Sequence, residues 1–347
     1  MSNTVLVTGA AGFIGMHVAQ RLLAGGATVI GIDNLNSYYD PSLKQARLGE
    51  LARYPEFRFE KIDIADRSDV KRLFSEHRFA EVVHLAAQAG VRHSLVDPHA
   101  YTDSNLTGFI NILEGCRHTG CRHLVYASSS SVYGANTRAP FRTTDNVDHP
   151  LSLYGATKKA NELMAHAYSN LFALPATGLR FFTVYGPWGR PDMAMWLFAD
   201  AILAGRPIRL FNRGEMRRDF TYVDDVSQAI AKLIAHPAKP DPTWSGDAPD
   251  PSRSFAPWRV FNIGNSSPVY VPDVVQILEK KLGRKAQCEL LPMQPGDVPE
   301  TCADVSDLEQ AIGFRPATSI EDGIGRFVDW YRSYHDAGAA GDAKVAP

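Results

Sequence analysis

Tyr154 and Lys158 stand four residues apart where a helical pattern begins, so their side chains share one face, one turn from each other. A phenol titrates near 10 and is a poor base at neutral pH. A lysine cation one turn away, together with the positive ring of an oxidised nicotinamide, favours the phenolate and lowers that value. The pair then reads as a general base able to take a proton from a substrate hydroxyl as hydride leaves the same carbon. Four consecutive serines, Ser128 to Ser131, end the β-like run that precedes this helix. They offer hydroxyls beside the phenol, where a purely structural reading would make them a polar turn.

A second constellation opens the chain. Gly9, Gly12 and Gly15, with Phe13 and Ile14 between the last two, follow a β-branched run directly and start a helical pattern. Glycines there permit a tight turn, let backbone N–H groups approach a pyrophosphate and allow close helix–strand packing. The helix N-terminus adds partial positive charge. Asp33 ends the next β-like run, eighteen residues past Gly15. An acid at that place accepts from adenosine ribose hydroxyls and repels a 2′-phosphate, so the cofactor expected is NAD.

These groups need a scaffold, and the residue pattern supplies one. Runs at Val5–Thr8, Thr28–Asp33, Phe57–Ile62, Val82–Leu85, His123–Ala127 and Ala176–Phe181 read as strands. Helical patterns near Gly12–Ala24, Arg67–His77, Ala100–Cys116 and Leu151–Leu174 lie between them. Strands without alternation, separated by helices, indicate an α/β fold: a doubly wound (Rossmann) parallel sheet, covered on both faces. A dinucleotide-binding domain is expected over 1–182, with the chain returning to it around 219–262. Residues 183–336 are expected to form mainly a smaller substrate domain, with loops and short helices over 186–222 and 262–300. The Pro/Asp/Ser-rich stretch 237–258 reads as a surface loop and 337–347 as a disordered tail. No internal repeat is visible.

The 347 residues carry a formal net charge of −2 with 45% apolar and 21% charged residues, which excludes a basic nucleic-acid-binding protein. No apolar run is long enough for a membrane helix, and the N-terminus goes straight into a β-like run, so a cytoplasmic location is expected. Cys116, Cys121, Cys288 and Cys302 form no CxxC pair. The CRHTGCRH segment at 116–123 reads as a helix-to-strand turn, and no metal is expected.

The glycine spacing is GxxGxxG, and the chain resembles the extended short-chain dehydrogenase/reductase family, in which that spacing is usual. The resemblance rests on VTGAAGFIG at 7–15, IDNLN at 32–36, DI at 63–64, HLAAQAGVR at 84–92, SNLTG at 104–108, YASSSSVYG at 126–134 and Tyr154-Gly-Ala-Thr-Lys158. It implies that Asn34 and Asn36 join Asp33 at the cofactor and that Asp63 and Ile64 border the adenine. Leu85, Ala86, Ala87 and Gln88 would run beside ribose and pyrophosphate, with Asn105 close by. Ser129 matches the catalytic Ser/Thr of the family, bridging the substrate hydroxyl and Tyr154, and Ser130 is a second contact.

Within that family, LRFFTVYGPWGRPDMA at 179–194 is similar to the UDP-glucuronate 4-epimerases. Dehydratases and decarboxylases of the family carry an acid in the stretch that holds only hydroxyls here, which favours epimerisation through a 4-keto sugar. By the same resemblance Thr183, with Ser129 and Ser130, would bind a C6 carboxylate. Arg190 and Arg218 would meet the UDP diphosphate, and Asp297 the uridine ribose. Gln294 stands where relatives have arginine, a loss that Arg190 would cover. Arg92 either faces the glucuronate or braces a loop. A homodimer through the helices around 100–116 and 154–172 is implied. The competing readings are a UDP-glucose/UDP-galactose 4-epimerase, a UDP-glucuronate decarboxylase or dehydratase, and a nucleotide-sensing protein without turnover.

Overall fold

The computed structural model describes residues 4–294 and 297–342. The first half alternates strand and helix: β1 (Thr4–Thr8), α1 (Phe13–Ala24), β2 (Thr28–Asp33), α2 (Pro41–Leu51), β3 (Phe57–Lys61), α3 (Arg67–Glu76) and β4 (Glu81–His84). Then come α4 (Pro98–Tyr101), a π-helical stretch (Thr102–Thr107), α5 (Gly108–Thr119), β5 (His123–Ser129), α6 (Leu153–Phe172) and β6 (Ala176–Phe181). The second half contains β7 (Thr183–Tyr185), α7 (Ala194–Ala204), β8 (Pro207–Leu210), β9 (Arg217–Arg218), β10 (Phe220–Tyr222), α8 (Val223–Ile234) and β11 (Trp258–Ile263). It closes with β12 (Val269–Tyr270), α9 (Val271–Leu282), β13 (Gln287–Leu290), α10 (Ser306–Ile312) and α11 (Ile320–Asp342).

Among the described residues seven parallel strands form the main sheet, in the order β11-β6-β5-β4-β1-β2-β3. Its central strands are buried along their length because helices cover both faces. Val7 and Val83 pack toward α1 and α8, while Leu6, Val82 and Leu124 pack toward α3, α5 and α6. Each such side chain contributes about 1.5–3 kcal/mol by leaving water. Strand order reverses between β1 and β4, and the crevice beyond their carboxyl ends is where a doubly wound sheet takes its ligand.

The six strands expected from sequence occur within a residue or two of their expected bounds. The seventh, β11, pairs with β6 from Trp258↔Ala176 to Ile263↔Phe181, at the end of the 219–262 segment expected to return to this domain but given no strand of its own. Likewise α7 and α9 give 186–222 and 262–300 more regular structure than loops and short helices. They pack with α11 around Phe198, Ile202, Leu278 and Phe327, a core of their own. The expected tail beginning at residue 337 is corrected too: α11 continues through Asp342, and 343–347 lie outside the described residues. No helix of the described residues is long and apolar enough to cross a membrane.

Candidate active site

The turn after β1 is shaped by its glycines. Gly9 sits at φ 72°, and a Cβ on it would meet the backbone nitrogen of Ala86 at 2.8 Å. A Cβ on Gly15 would strike the Gly9 carbonyl oxygen at 2.0 Å, so only hydrogen fits where α1 packs against the turn. Gly12 caps α1 without any side-chain acceptor, which leaves the first N–H groups of that helix directed into the crevice. Across from them, Thr8 Oγ1 accepts from Leu85 N at 3.1 Å and Ala86 N at 3.0 Å, setting the path of the segment after β4. These features suit a dinucleotide pyrophosphate, and Asp33, buried at the end of β2, suits its ribose.

A cavity of about 380 Å³ runs from this turn toward β5 and α6. Its walls include Gly9, Gly12, Phe13, Ile14, Gly15, Asp33, Asn34, Asn36 and Ile64 at one end, with Leu85, Ala86, Ala87 and Gln88 along the side. Ser129, Ser130, Tyr154, Lys158, Thr183 and Arg190 line the other end. Asp63 lies on an adjoining open recess, where its carboxylate accepts from Asn34 Nδ2 at 3.0 Å. Asn105 lies off the wall altogether. It projects from the π-helical stretch, accepts from Gln88 N at 2.9 Å and donates to Gln88 O at 3.1 Å and Thr157 Oγ1 at 3.1 Å. Its reach to the cavity is through Gln88, a use of a π-turn at a functional site.

Ser152 caps α6 by accepting from Gly155 N at 3.0 Å, and this places Tyr154 in the first turn facing β5. Lys158 follows on the same face and donates to Ala127 O at 3.0 Å, its Nζ 6.0 Å from the centre of the Tyr154 ring. Burial pushes the Tyr154 phenol above its ordinary value, opposed by its hydrogen bond with Ser129 and by the charge of Arg190. The sequence argument assigned that relief to Lys158 and the cofactor. In the fold the charge of Arg190 also acts on the phenol, and burial lowers Lys158 to about 8, which leaves it a cation at pH 7.

Lys158 therefore binds fewer protons folded than unfolded between pH about 8 and its ordinary 10.5, so stability rises with pH across that window and is least below it. Lys158→Met is expected to raise the thermal midpoint at pH 7, with a gain that shrinks toward pH 10, while activity is lost. A lower midpoint at pH 7 would show that the bond to Ala127 outweighs the burial cost.

A second pocket adjoins the first through Ser130 and Thr183, which line both. It contains Arg218 and Asp297, whose charged groups approach to 3.9 Å. Arg92 reaches Asp297 from the rim at 3.5 Å and lies over the Phe211 ring at 4.9 Å. Arg190 is elsewhere. It lines the first cavity, and its guanidinium grips Asp192 at 2.9 and 2.7 Å. Gln294 O accepts from Asp297 N at 3.2 Å, and Arg92 and Arg218 both approach the carboxylate of that aspartate.

Sequence reasoning missed Tyr38, Lys44 and Arg47. Tyr38 donates to Asp192 Oδ2 at 3.1 Å, and Lys44 Nζ lies 3.5 Å from Asp33. Charged residues on a helix default to solvent, so nothing in PSLKQARL signals that Lys44 and Arg47 point inward. The CRHTGCRH segment holds its groups in separate bonds: His118 pairs with Glu114 at 3.2 Å and His123 with Thr177 at 2.9 Å. Among the described residues Glu60, Glu76 and His77 bring acceptor atoms together, where Arg72 pairs with both acids.

The sequence profile of the NAD dependent epimerase/dehydratase family matches residues 5–246. The chain belongs to that family. It is 54% identical over 331 residues to Protein CapI of Staphylococcus aureus, covering 95% of this chain and 99% of that one. It is 47% identical over 327 residues to a probable UDP-glucuronate 4-epimerase of Rhizobium meliloti, covering 94% and 96%. Its fold matches the crystal structure of UDP-glucuronic acid 4-epimerase from Bacillus cereus in complex with UDP-glucuronic acid and NAD. The TM-score is 0.83 at 32% identity, over 95% of this chain and 99% of that one. This family therefore accounts for the doubly wound sheet and the glycine turn alike.

Proposed function

We propose that the chain is an NAD-dependent 4-epimerase that interconverts UDP-glucuronate and UDP-galacturonate. The observation that carries this reading is the continuity of the two pockets. A phenol, a lysine and only hydroxyls at 128–131 meet, through Ser130 and Thr183, a pocket holding Arg218 and Asp297. The curated relative and the solved structure, both named for that activity, support it.

NAD, when bound, supplies the oxidant that takes the C4 hydrogen and returns it to the opposite face. Tyr154 removes the C4 hydroxyl proton as the sugar becomes a 4-ketone, and gives it back after the ring has turned. Ser129, which lines the cavity with Tyr154, shares that hydroxyl and keeps it aligned with the phenol. Lys158 places a positive charge behind the phenol. Ser130 and Thr183 donate to the C6 carboxylate, holding it near the plane of the ketone, out of line for loss of CO₂. Arg218, with Arg92, meets the diphosphate, and Asp297 accepts from the uridine ribose; guanidinium forks suit phosphate oxygens.

The working unit is read as a Rossmann portion, 1–182 with its return over 219–262, and a sugar-nucleotide portion over the rest of 183–336. A homodimer through α5 and α6 would cover Leu163 and Leu171, large apolar side chains that α6 leaves exposed. The test is incubation of the purified protein with UDP-glucuronate and, separately, UDP-glucose, with NMR of the sugar ring. UDP-galacturonate from the acid, with little change in the neutral sugar, is expected. UDP-galactose as the main product would move the specificity to the neutral sugar, and a UDP-pentose with CO₂ would overturn the argument from the missing acid.

A further inference from the structure

The turn that delivers Arg190 to the cavity is strained and unusually well tied. Trp188 adopts φ 61°, a left-handed conformation that a bulky side chain rarely accepts. Gly186, at φ 142°, has no room for a Cβ, which would meet Val223 at 2.7 Å. Three successive carbonyls of this turn are held by side chains from the two helices that flank the glycine turn. His17, on α1, bonds to Pro187 O at 2.9 Å. Arg47, on α2, donates through Nη2 to Trp188 O at 2.7 Å and Gly189 O at 3.3 Å. Through Nη1 the same guanidinium donates to Ala11 O, within the glycine turn, at 2.9 Å and to the Tyr39 hydroxyl at 2.6 Å.

Arg47 is fully buried, its hydrogen bonds all go to neutral oxygens, and its Nε has no partner. Its cost is explained by its position, since one planar fork spans the cofactor turn and the turn before Arg190. His17 contributes a single donor. A carbonyl only accepts, so Nε2 carries the proton, and burial keeps the ring neutral with a value lowered to about 4 despite Asp224.

We infer that His17 and Arg47 are positioning residues: by pinning the carbonyls of 187–189 to the cofactor-binding elements, they set how closely Arg190 approaches Tyr154. This rests on the proposed reading of Tyr154 as the group that moves the proton. Arg190 and Tyr154 line the same cavity, and the phenol is also faced by Ser129 from β5, Tyr101 from α4 (ring centres 6.1 Å apart) and Lys158 on its own helix. Arg190 is faced in turn by Asp192 and Tyr38. Of the cations, Arg190 alone is carried by the pinned turn. Slackening the turn therefore weakens one defined charge at the phenol.

The test is titration of the Tyr154 phenol in the NAD-loaded full chain, from the near-ultraviolet difference between each protein and the same protein carrying Tyr154→Phe. This readout needs no sugar, so it stands if the substrate has been misassigned. His17→Leu and Arg47→Met are expected to raise the Tyr154 midpoint by on the order of half a pH unit or more. His17→Gln, which keeps a donor for Pro187 O, should return it to the wild-type value, which a loss of packing alone would not do. The acid limb of kcat on UDP-glucuronate should move with it, leaving KM less affected. If His17→Leu or Arg47→Met does not fold, Arg47→Lys decides, because one ammonium cannot span both turns and the same upward shift is expected. Folded variants whose Tyr154 midpoint matches wild type, or a His17→Gln protein that shifts as His17→Leu does, would overturn the inference. Absence of turnover on UDP-glucuronate with the midpoint shifts intact would instead count against the substrate alone.

Discussion

Tyr154→Phe is expected to lower kcat on UDP-glucuronate by about 10²- to 10⁴-fold, the range for losing a positioned proton-transfer group. The substitution deletes one oxygen from a ring that lies edge-on to Tyr101, and phenylalanine keeps that contact. The Ser129 hydroxyl still accepts from Ser131 N at 3.1 Å and is not left without a bond. The glycine turn, Asp33 and the Arg218–Asp297 pocket are untouched. NAD retention and the affinity for UDP-glucuronate, measured by calorimetry, should therefore stay close to wild type while turnover collapses. A Tyr154→Phe protein with more than a tenth of the wild-type kcat would show that another group moves the proton.

Arg180→Met is expected to destabilise the fold by about 3–5 kcal/mol, measured by denaturant unfolding. Arg180, on β6, is fully buried and meets Glu162 of α6 in a two-pronged pair at 2.9 and 2.9 Å. The rest of its fork reaches the Tyr133 hydroxyl at 3.2 Å and Thr143 O at 3.3 Å. Burial pushes the Glu162 carboxyl up, but Arg180 and the Ser128 hydroxyl outweigh it and hold the group below its ordinary value. Removing the guanidinium leaves that carboxylate buried and unpaired, which costs far more than the pair itself contributes. The double change Arg180→Met with Glu162→Leu should recover much of the loss, because no charge is then stranded. Ser128 Oγ donates to Glu162 at 2.6 Å and precedes Ser129, so the single variant should also lose activity. A loss of under about 1 kcal/mol would mean that water reaches the carboxylate.

Much of the scaffold was legible in the residues. Continuous β-branched runs separated by amphipathic helices have few solutions other than a doubly wound parallel sheet, and all six expected strands lie in it. β11 was harder, because its six residues follow a Pro-rich stretch and its place at the sheet edge is set by pairing with β6, far back in the chain. Tyr154 and Lys158 were brought together by helical periodicity, a local rule that survives any packing. The setting of Arg190 was not legible, for the opposite reason. Its direction depends on a strained turn tied to α1 and α2, and no spacing along the chain encodes a bond between residue 47 and residue 188.

Period, glycine position and the acid at the end of β2 are local, so sequence by itself determined the sheet, the cofactor turn and the tyrosine–lysine pair. Which cation faces the phenol, which arginines flank Asp297 and which buried charges find partners were decided only in the tertiary structure. Those outcomes depend on distance and desolvation between residues far apart in the chain. Tyr154 shows the division well: its place could be read from a four-residue interval, whereas burial raises its pKa and a guanidinium thirty-six residues away opposes that rise.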